Sequence, residues 1–187
     1  MVSTCAGRDG WGDPAPPAHV FGNTWYVGTC GITALLVQTP NGLVLLDGGI
    51  PEAADMVLDN VRKLGFSEKS IRWILVSHEH FDHAGALAEI QRRTGAKVIA
   101  GPNQAPMLRS GKPDPADPQA PLLAKEPMAP IKVAKSQPHG RALVVGGVHF
   151  TAWANPVHAP GSTSWTWQQC QGSECRTIAY ADSASTI

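Results

Sequence analysis

The sequence has no charge imbalance. Its 187 residues set 15 lysines and arginines against 15 aspartates and glutamates, a formal net charge of zero at pH 7. The basic residues are scattered, so the electrostatic footprint that nucleic acid or an anionic membrane surface requires is missing. No apolar run approaches the ~20 residues of a membrane span. Residues 1–17 are polar, rich in glycine and proline, and lack the apolar core of a secretory leader. The chain is therefore either cytosolic or written without its leader. Cysteine is scarce, with four in all, and none of them forms the C-x-x-C pair of a zinc or redox motif.

Those cysteines bear on the compartment. Cys170 and Cys175 flank Gln171-Gly172-Ser173-Glu174, which reads as a hairpin tip, and a disulfide across a hairpin is geometrically easy. Cys5 and Cys30 would then pair by elimination and pin a loose N-terminal arm. Such bridges would mark a secreted or periplasmic protein, whereas four free buried thiols would fit a cytosolic one.

What is present fits one domain with a hydrophobic core. An arm over residues 1–19 precedes a domain over 20–187. Strands are expected at Val20–Tyr26, Ile32–Gln38 and Leu43–Leu46, the last two joined by the Pro40-Asn41-Gly42 turn. Ala53, Ala54, Val57, Leu58, Val61 and Leu64 lie near one helical face, and Gly65 ends that pattern. A strand at Ile71–Val76, a helix at Ala84–Thr94 closed by Gly95, and a strand at Lys97–Ala100 follow. Nine prolines then punctuate residues 101–140, which predicts an irregular excursion with one short helix near Asn103–Arg109. Such a segment is either a pocket wall or a plain surface excursion. Strands at Leu143–Val145, Val148–Trp153, Ser164–Gln168 and Arg176–Ala181 complete a sheet-based α/β pattern with helices outside. A strand, turn and histidine-bearing loop occurs twice, ending at His78 and at His158.

The chemistry is concentrated in His78-Glu79-His80-Phe81-Asp82-His83. Three imidazoles and a carboxylate in one short segment after a strand suit a metal site. His78 and His80, two apart, can aim at one point. Asp82 and His83, in the next turn, can aim at a neighbouring one. The pattern suits two cations about 3.5–4 Å apart with a bridging hydroxide, and imidazole with carboxylate favours zinc. Taken alone, Asp82 could instead be an N-cap.

The segment H-x-H-x-D-H resembles the signature of the metallo-β-lactamase superfamily. Asn155-Pro156-Val157-His158-Ala159-Pro160-Gly161-Ser162-Thr163 is similar to its second histidine loop, and Asp47-Gly48-Gly49 to its buried aspartate turn. Gly22 to Gly28, His80 to Gly85, Gly161 to Trp167 and Tyr180-Ala181-Asp182-Ser183 resemble the third subclass of true metallo-β-lactamases, which holds both metals without cysteine. The Cys170–Cys175 hairpin also resembles members of that subclass. The resemblance implies a four-layer αβ/βα sandwich, with its second half incomplete in this chain. It implies a first zinc on His78, His80 and His158, a second on Asp82 and His83, and Asp47 orienting the ligand loop. It implies hydrolysis of a β-lactam amide, hence antibiotic resistance, by a metal-bound hydroxide that Asp82 holds, without an acyl-enzyme. Ser183 and Ser185 match positions that bind the substrate carboxylate. Trp25 is either a pocket wall or a core residue.

Three departures accompany the resemblance. Pro156-Val157 stands where the subclass has Pro-Gly, and valine disfavours positive φ, so that loop is expected to sit differently. Glu79 is expected to point to solvent. The subclass places a further histidine on the second zinc after the strand ending near Asp182, and His19, His139 and His149 all precede that strand. The chain therefore reads as C-terminally truncated, with weak second-metal occupancy and poor activity expected. A glyoxalase-II-like thioesterase is the rival within the superfamily, favoured if Asp182 rather than Ser183 faces the metals. An inactive metal-binding fragment is the other. The sequence carries no signal for the oligomeric state.

Overall fold

The computed structural model describes residues 2–181 and Ser183, apart from the side chains of Val2 and Ser3. A short helix, α1 (Val2–Cys5), opens the chain. Seven strands then build one sheet in sequence order: β1 (Ala18–Phe21), β2 (Thr24–Tyr26), β3 (Leu35–Thr39), β4 (Gly42–Leu46), β5 (Ile71–Leu75), β6 (Lys97–Ala100) and β7 (Val133–Ser136). The first four pair antiparallel, and β4 to β7 pair parallel. The change of direction follows from the connections. Tight turns join the early strands, whereas helices α2 (Ala54–Lys63) and α4 (Leu87–Thr94) carry the chain back between β4, β5 and β6. A second, antiparallel sheet of β8 (Ala142–Val145), β9 (Val148–Ala154), β10 (Thr163–Gln171) and β11 (Glu174–Tyr180) follows in the order β11-β10-β9-β8.

Strand alternation decides what packs where. Leu36, Leu45, Ile74 and Val98 face Val57, Leu58, Val61, Leu87 and Ile90 of the helices. Their neighbours Leu35, Val37, Val44, Leu46, Leu75 and Ile99 face Phe150, Trp165 and Trp167 of the second sheet. Two cores thus sandwich the first sheet. The outer face of the second sheet is open, with Val144 60% and Trp153 42% exposed. The described residues therefore form helix, sheet and sheet layers of the expected α/β sandwich.

Several elements differ from expectation. The first strand is a hairpin, broken at Gly22 (φ +56°). A Cβ there would lie 2.9 Å from the Cys170 carbonyl oxygen, so the turn closes against the end of β10. The helix expected at Ala84–Thr94 is two pieces, α3 (Phe81–Ala84) and α4. At Gly85, between them, a Cβ would lie 2.5 Å from Pro51 Cδ. Gly95 ends α4 in the left-handed conformation, as expected. The proline-rich excursion holds α5 (Ala105–Ser110), α6 (Ala120–Leu123) and β7. Strand β7 was masked by its shortness: only Val133 of its four residues is buried.

Both disulfides form, Cys5–Cys30 and Cys170–Cys175. The arm is packed rather than loose. The Asn60 side-chain amide donates to the Ala15 and Val27 carbonyls at 2.9 and 3.1 Å, and Trp11 meets Phe81 edge-on. Trp25 is half-buried, with Phe66 and His19 against its ring, and lines no part of the ligand cluster among the described residues.

Candidate metal centre

Strand β5 delivers the ligand segment. After Leu75 the chain bends at Ser77, Glu79 and His80, and His80, which precedes the first turn of α3, has β backbone angles. Asp82 and His83 lie within that turn, so Asp82 is not an N-cap. The ring centroids of His78 and His80 are 5.0 Å apart and those of His78 and His83 4.4 Å apart. The loop between β9 and β10 brings His158 to 5.0 Å from both His78 and His80. Two overlapping groups result. His78, His80 and His158 each offer one ligand atom within 4.8 Å of the others, and so do His78, Asp82 and His83. Asp82 spans the second group, with Oδ1 3.7 Å from His78 Nε2 and Oδ2 3.6 Å from His83 Nε2. His19, His139 and His149 belong to neither.

Buried imidazoles and a carboxylate converging without a cationic side chain among them suit a divalent cation. The protonation states agree. Burial lowers the His78 pKa to about 4, so it is neutral at pH 7. Burial lowers that of His158 as well. Burial alone would raise Asp82, but the contact with His78 and the neighbouring imidazoles bring it down to about 2.

This gives a pH prediction for the metal-free protein. Unfolded, His78 titrates near 6.5; folded, it titrates near 4. Between those values the unfolded chain binds more protons, so stability falls as pH drops. From about pH 7.5 to about pH 5, unfolding free energy should fall by about 2 kcal/mol, read from urea midpoints in excess chelator. Asp82 adds to the loss only below about pH 4. An unchanged midpoint would contradict a neutral buried His78.

Asp47 is the hub beneath the ligands and is fully buried. Its Oδ1 accepts the Ser77 backbone N–H at 2.8 Å. Its Oδ2 accepts the Ser77 hydroxyl at 2.5 Å, the Tyr180 hydroxyl at 2.7 Å and His83 Nδ1 at 3.1 Å. Asp47 has φ +59°, which suits aspartate better than most side chains. The Gly48 and Gly49 amides donate to the His83 carbonyl at 3.0 and 3.2 Å. Asp47 thus holds His83 through Nδ1, and His83 Nε2 faces Asp82 Oδ2 at 3.6 Å on the side where the second group converges.

Glu79 corrects an expectation. It is 4% exposed, not turned to solvent. Its side chain is covered by the loop that carries His158. Glu79 Oε1 accepts the Gly161 N–H at 2.8 Å, and burial raises the Glu79 pKa. A Cβ at Gly161 would lie 2.4 Å from Glu79 Oε2. Gln104 ties the same two loops, donating to the Ser77 and Gly161 carbonyls at 3.2 and 3.0 Å. Val157 avoids positive φ: among the described residues only Asp47 and Ser183 have it besides glycines. Its N–H instead closes a tight turn onto the Asn155 carbonyl at 2.6 Å, and His158 still reaches the cluster.

Sequence reasoning missed Ser77, Gln104 and Asp117. Asp117 lies in the proline-rich excursion, yet its Oδ2 is 2.7 Å from His80 Nε2. Nothing local marks it, because the contact joins residues 37 apart. Ser183, half-buried at the end of β11, has φ +50°. Asp182 and Ser185 lie outside the described residues.

The profile of the Metallo-beta-lactamase superfamily matches residues 27–171. The chain belongs to that superfamily. Among solved structures, metallo-β-lactamase MIM-1 from Novosphingobium pentaromativorans is 50% identical, with a TM-score of 0.94 over 99% of this chain and 68% of that one. BJP-1, a subclass B3 metallo-β-lactamase of Bradyrhizobium japonicum, is 35% identical, with a TM-score of 0.82 over 91% of this chain and 63% of that one. Among curated proteins, a probable metallo-hydrolase, YflN of Bacillus subtilis (strain 168), is 32% identical over 69% of this chain and 52% of its own length. The chain thus spans about half the length of that relative. The subclass B3 structures bear out the resemblance to the third subclass, and a divalent metal, typically zinc in this family, fits the donor set.

Proposed function

We propose that this protein hydrolyses the amide bond of β-lactam antibiotics with zinc held by His78, His80 and His158 at one point and by Asp82 and His83 at a second. The observation that carries this reading is the convergence of those five side chains in two groups sharing His78. The 50% identity to a metallo-β-lactamase over nearly the whole chain supports it. Zinc bound there would lower the pKa of water to about 7 and polarise a lactam carbonyl. The chain's own groups supply the rest. His78, neutral at pH 7, binds the cation without a proton to lose. Asp82, an anion at neutral pH, accepts a hydrogen bond from the attacking water and aims it. Asp47 holds His83 in orientation. No side-chain nucleophile is required, and all four cysteines are in disulfides. Ser183 and Ser185 are proposed to bind the substrate carboxylate. The two disulfides support a periplasmic or secreted location, and resistance to β-lactams would be the biological outcome.

Hydrolysis of a carbapenem and of a lactoylglutathione-like thioester, each with and without chelator, tests the reading. Carbapenem turnover abolished by chelation and restored by Zn2+ is expected. Metal-dependent turnover of the thioester alone would replace this reading with a thioesterase.

A further inference from the structure

Residues 112–126 form a strap across one side of the metal centre. Prolines 113, 115, 118 and 121 keep the strap out of both sheets. Its internal hydrogen bonds are local: the Asp117 N–H donates to the Asp114 carbonyl at 3.0 Å, and the Ala120 N–H to the Asp117 carbonyl at 2.9 Å. Apolar anchoring is thin, since Leu123 is its one buried large hydrophobic side chain. A small cleft, with room for about one water, lies between the strap and Phe81, lined also by Lys112, Pro113 and Leu123. Among the described residues, a single hydrogen bond ties the strap to the ligand segment, from His80 to Asp117. The two side chains are 3% and 1% exposed.

Asp117 is built for that bond. Its Oδ1 accepts the Gln119 N–H at 2.7 Å, which orients the carboxylate within its own turn and leaves Oδ2 for His80 Nε2. With Nε2 so engaged, Nδ1 is the His80 nitrogen left for a cation. A cation on Nδ1 requires the hydrogen to sit on Nε2, where it donates to Asp117. A carboxylate behind a metal-bound imidazole fixes its tautomer and raises its basicity. The neighbours Ala116 and Pro118 meanwhile share a groove with Pro156, Val157 and His158. The bond therefore also sets one wall of the open side of the centre.

We infer that Asp117 is a positioning residue for His80, and that through this one bond cation binding and docking of the 112–126 strap are coupled. The inference rests on the metal reading of the cluster. Coupling of two equilibria is reciprocal. Metal binding holds the strap down, and a docked strap tightens metal binding.

Competition titration of Zn2+ against a chromophoric chelator, with limited proteolysis of the strap in zinc and in chelator, tests this. In the unaltered protein, zinc should slow cutting within residues 112–126. Asp117→Ala should weaken the tighter zinc by about 10–100-fold and make strap cutting independent of zinc. Asp117→Asn, which keeps one carbonyl acceptor, should fall between. Glu126→Gln, at an exposed strap position, should match the unaltered protein. If the unaltered protein binds no zinc, the metal reading itself fails. If it binds zinc but both Asp117 variants keep its affinity and zinc-dependent protection, the coupling is overturned and the metal reading stands.

Discussion

Asp82→Asn is expected to lower kcat for a carbapenem by about 10²–10⁴-fold, the range for loss of a positioned proton acceptor. The substitution is nearly isosteric, so it isolates the charge. Asp82 caps no helix, and its side chain is 14% exposed between His78 and His83. A neutral amide there keeps the shape of the turn but cannot take a proton or stabilise a cation as a carboxylate does. Stability of the metal-free protein should fall by about 2 kcal/mol at most at pH 7, the worth of the charge whose pKa is held near 2, because among the described residues no backbone group bonds to Asp82. Steady-state kinetics, zinc content and thermal unfolding of the same preparation check the three parts together. Activity within a few-fold of the unaltered protein would remove Asp82 from the chemistry.

Asp47→Ala is expected to have the largest effect on stability, a loss of about 3–5 kcal/mol. Asp47 accepts hydrogen bonds from Ser77, Tyr180 and His83 in a fully buried position. Alanine would leave the buried Ser77 amide without that acceptor and would place a less tolerant residue at φ +59°. The first effect acts on the residue next to His78, so zinc affinity should fall with stability. Asp47→Asn tolerates the backbone angle and keeps one acceptor, and should lose less. Urea midpoints in chelator measure the difference; a loss under about 1 kcal/mol for the alanine variant would contradict the hub role.

Much of the fold could be read from the chain because its cues are local. Pro40-Asn41-Gly42 marks a turn wherever it occurs, and Gly95 can end a helix in the left-handed conformation by itself. Strands β4, β5 and β6 are short apolar runs between such signals. Expectation failed where the decisive neighbour is distant. The break at Gly22 depends on the end of β10, and the break at Gly85 on Pro51. Strand β7 exists because β6 offers it an edge, not because Val133-Ala134-Lys135-Ser136 reads as a strand.

The centre divides the same way. The ligand types and their spacing in His78 to His83 are contiguous, so covalent geometry alone brings four donors to one short turn. The Pro160-Gly161 turn likewise marks the loop that presents His158. Which groups hold those donors in place was decided by the tertiary structure. Asp47 meets His83 across 36 residues, Asp117 meets His80 across 37, and Glu79 meets Gly161 across 82. A carboxylate looks the same in sequence whether it faces water or an imidazole. Only packing decides which face of the ligand segment is covered, and with it whether Glu79 is a solvated charge or a buried clamp.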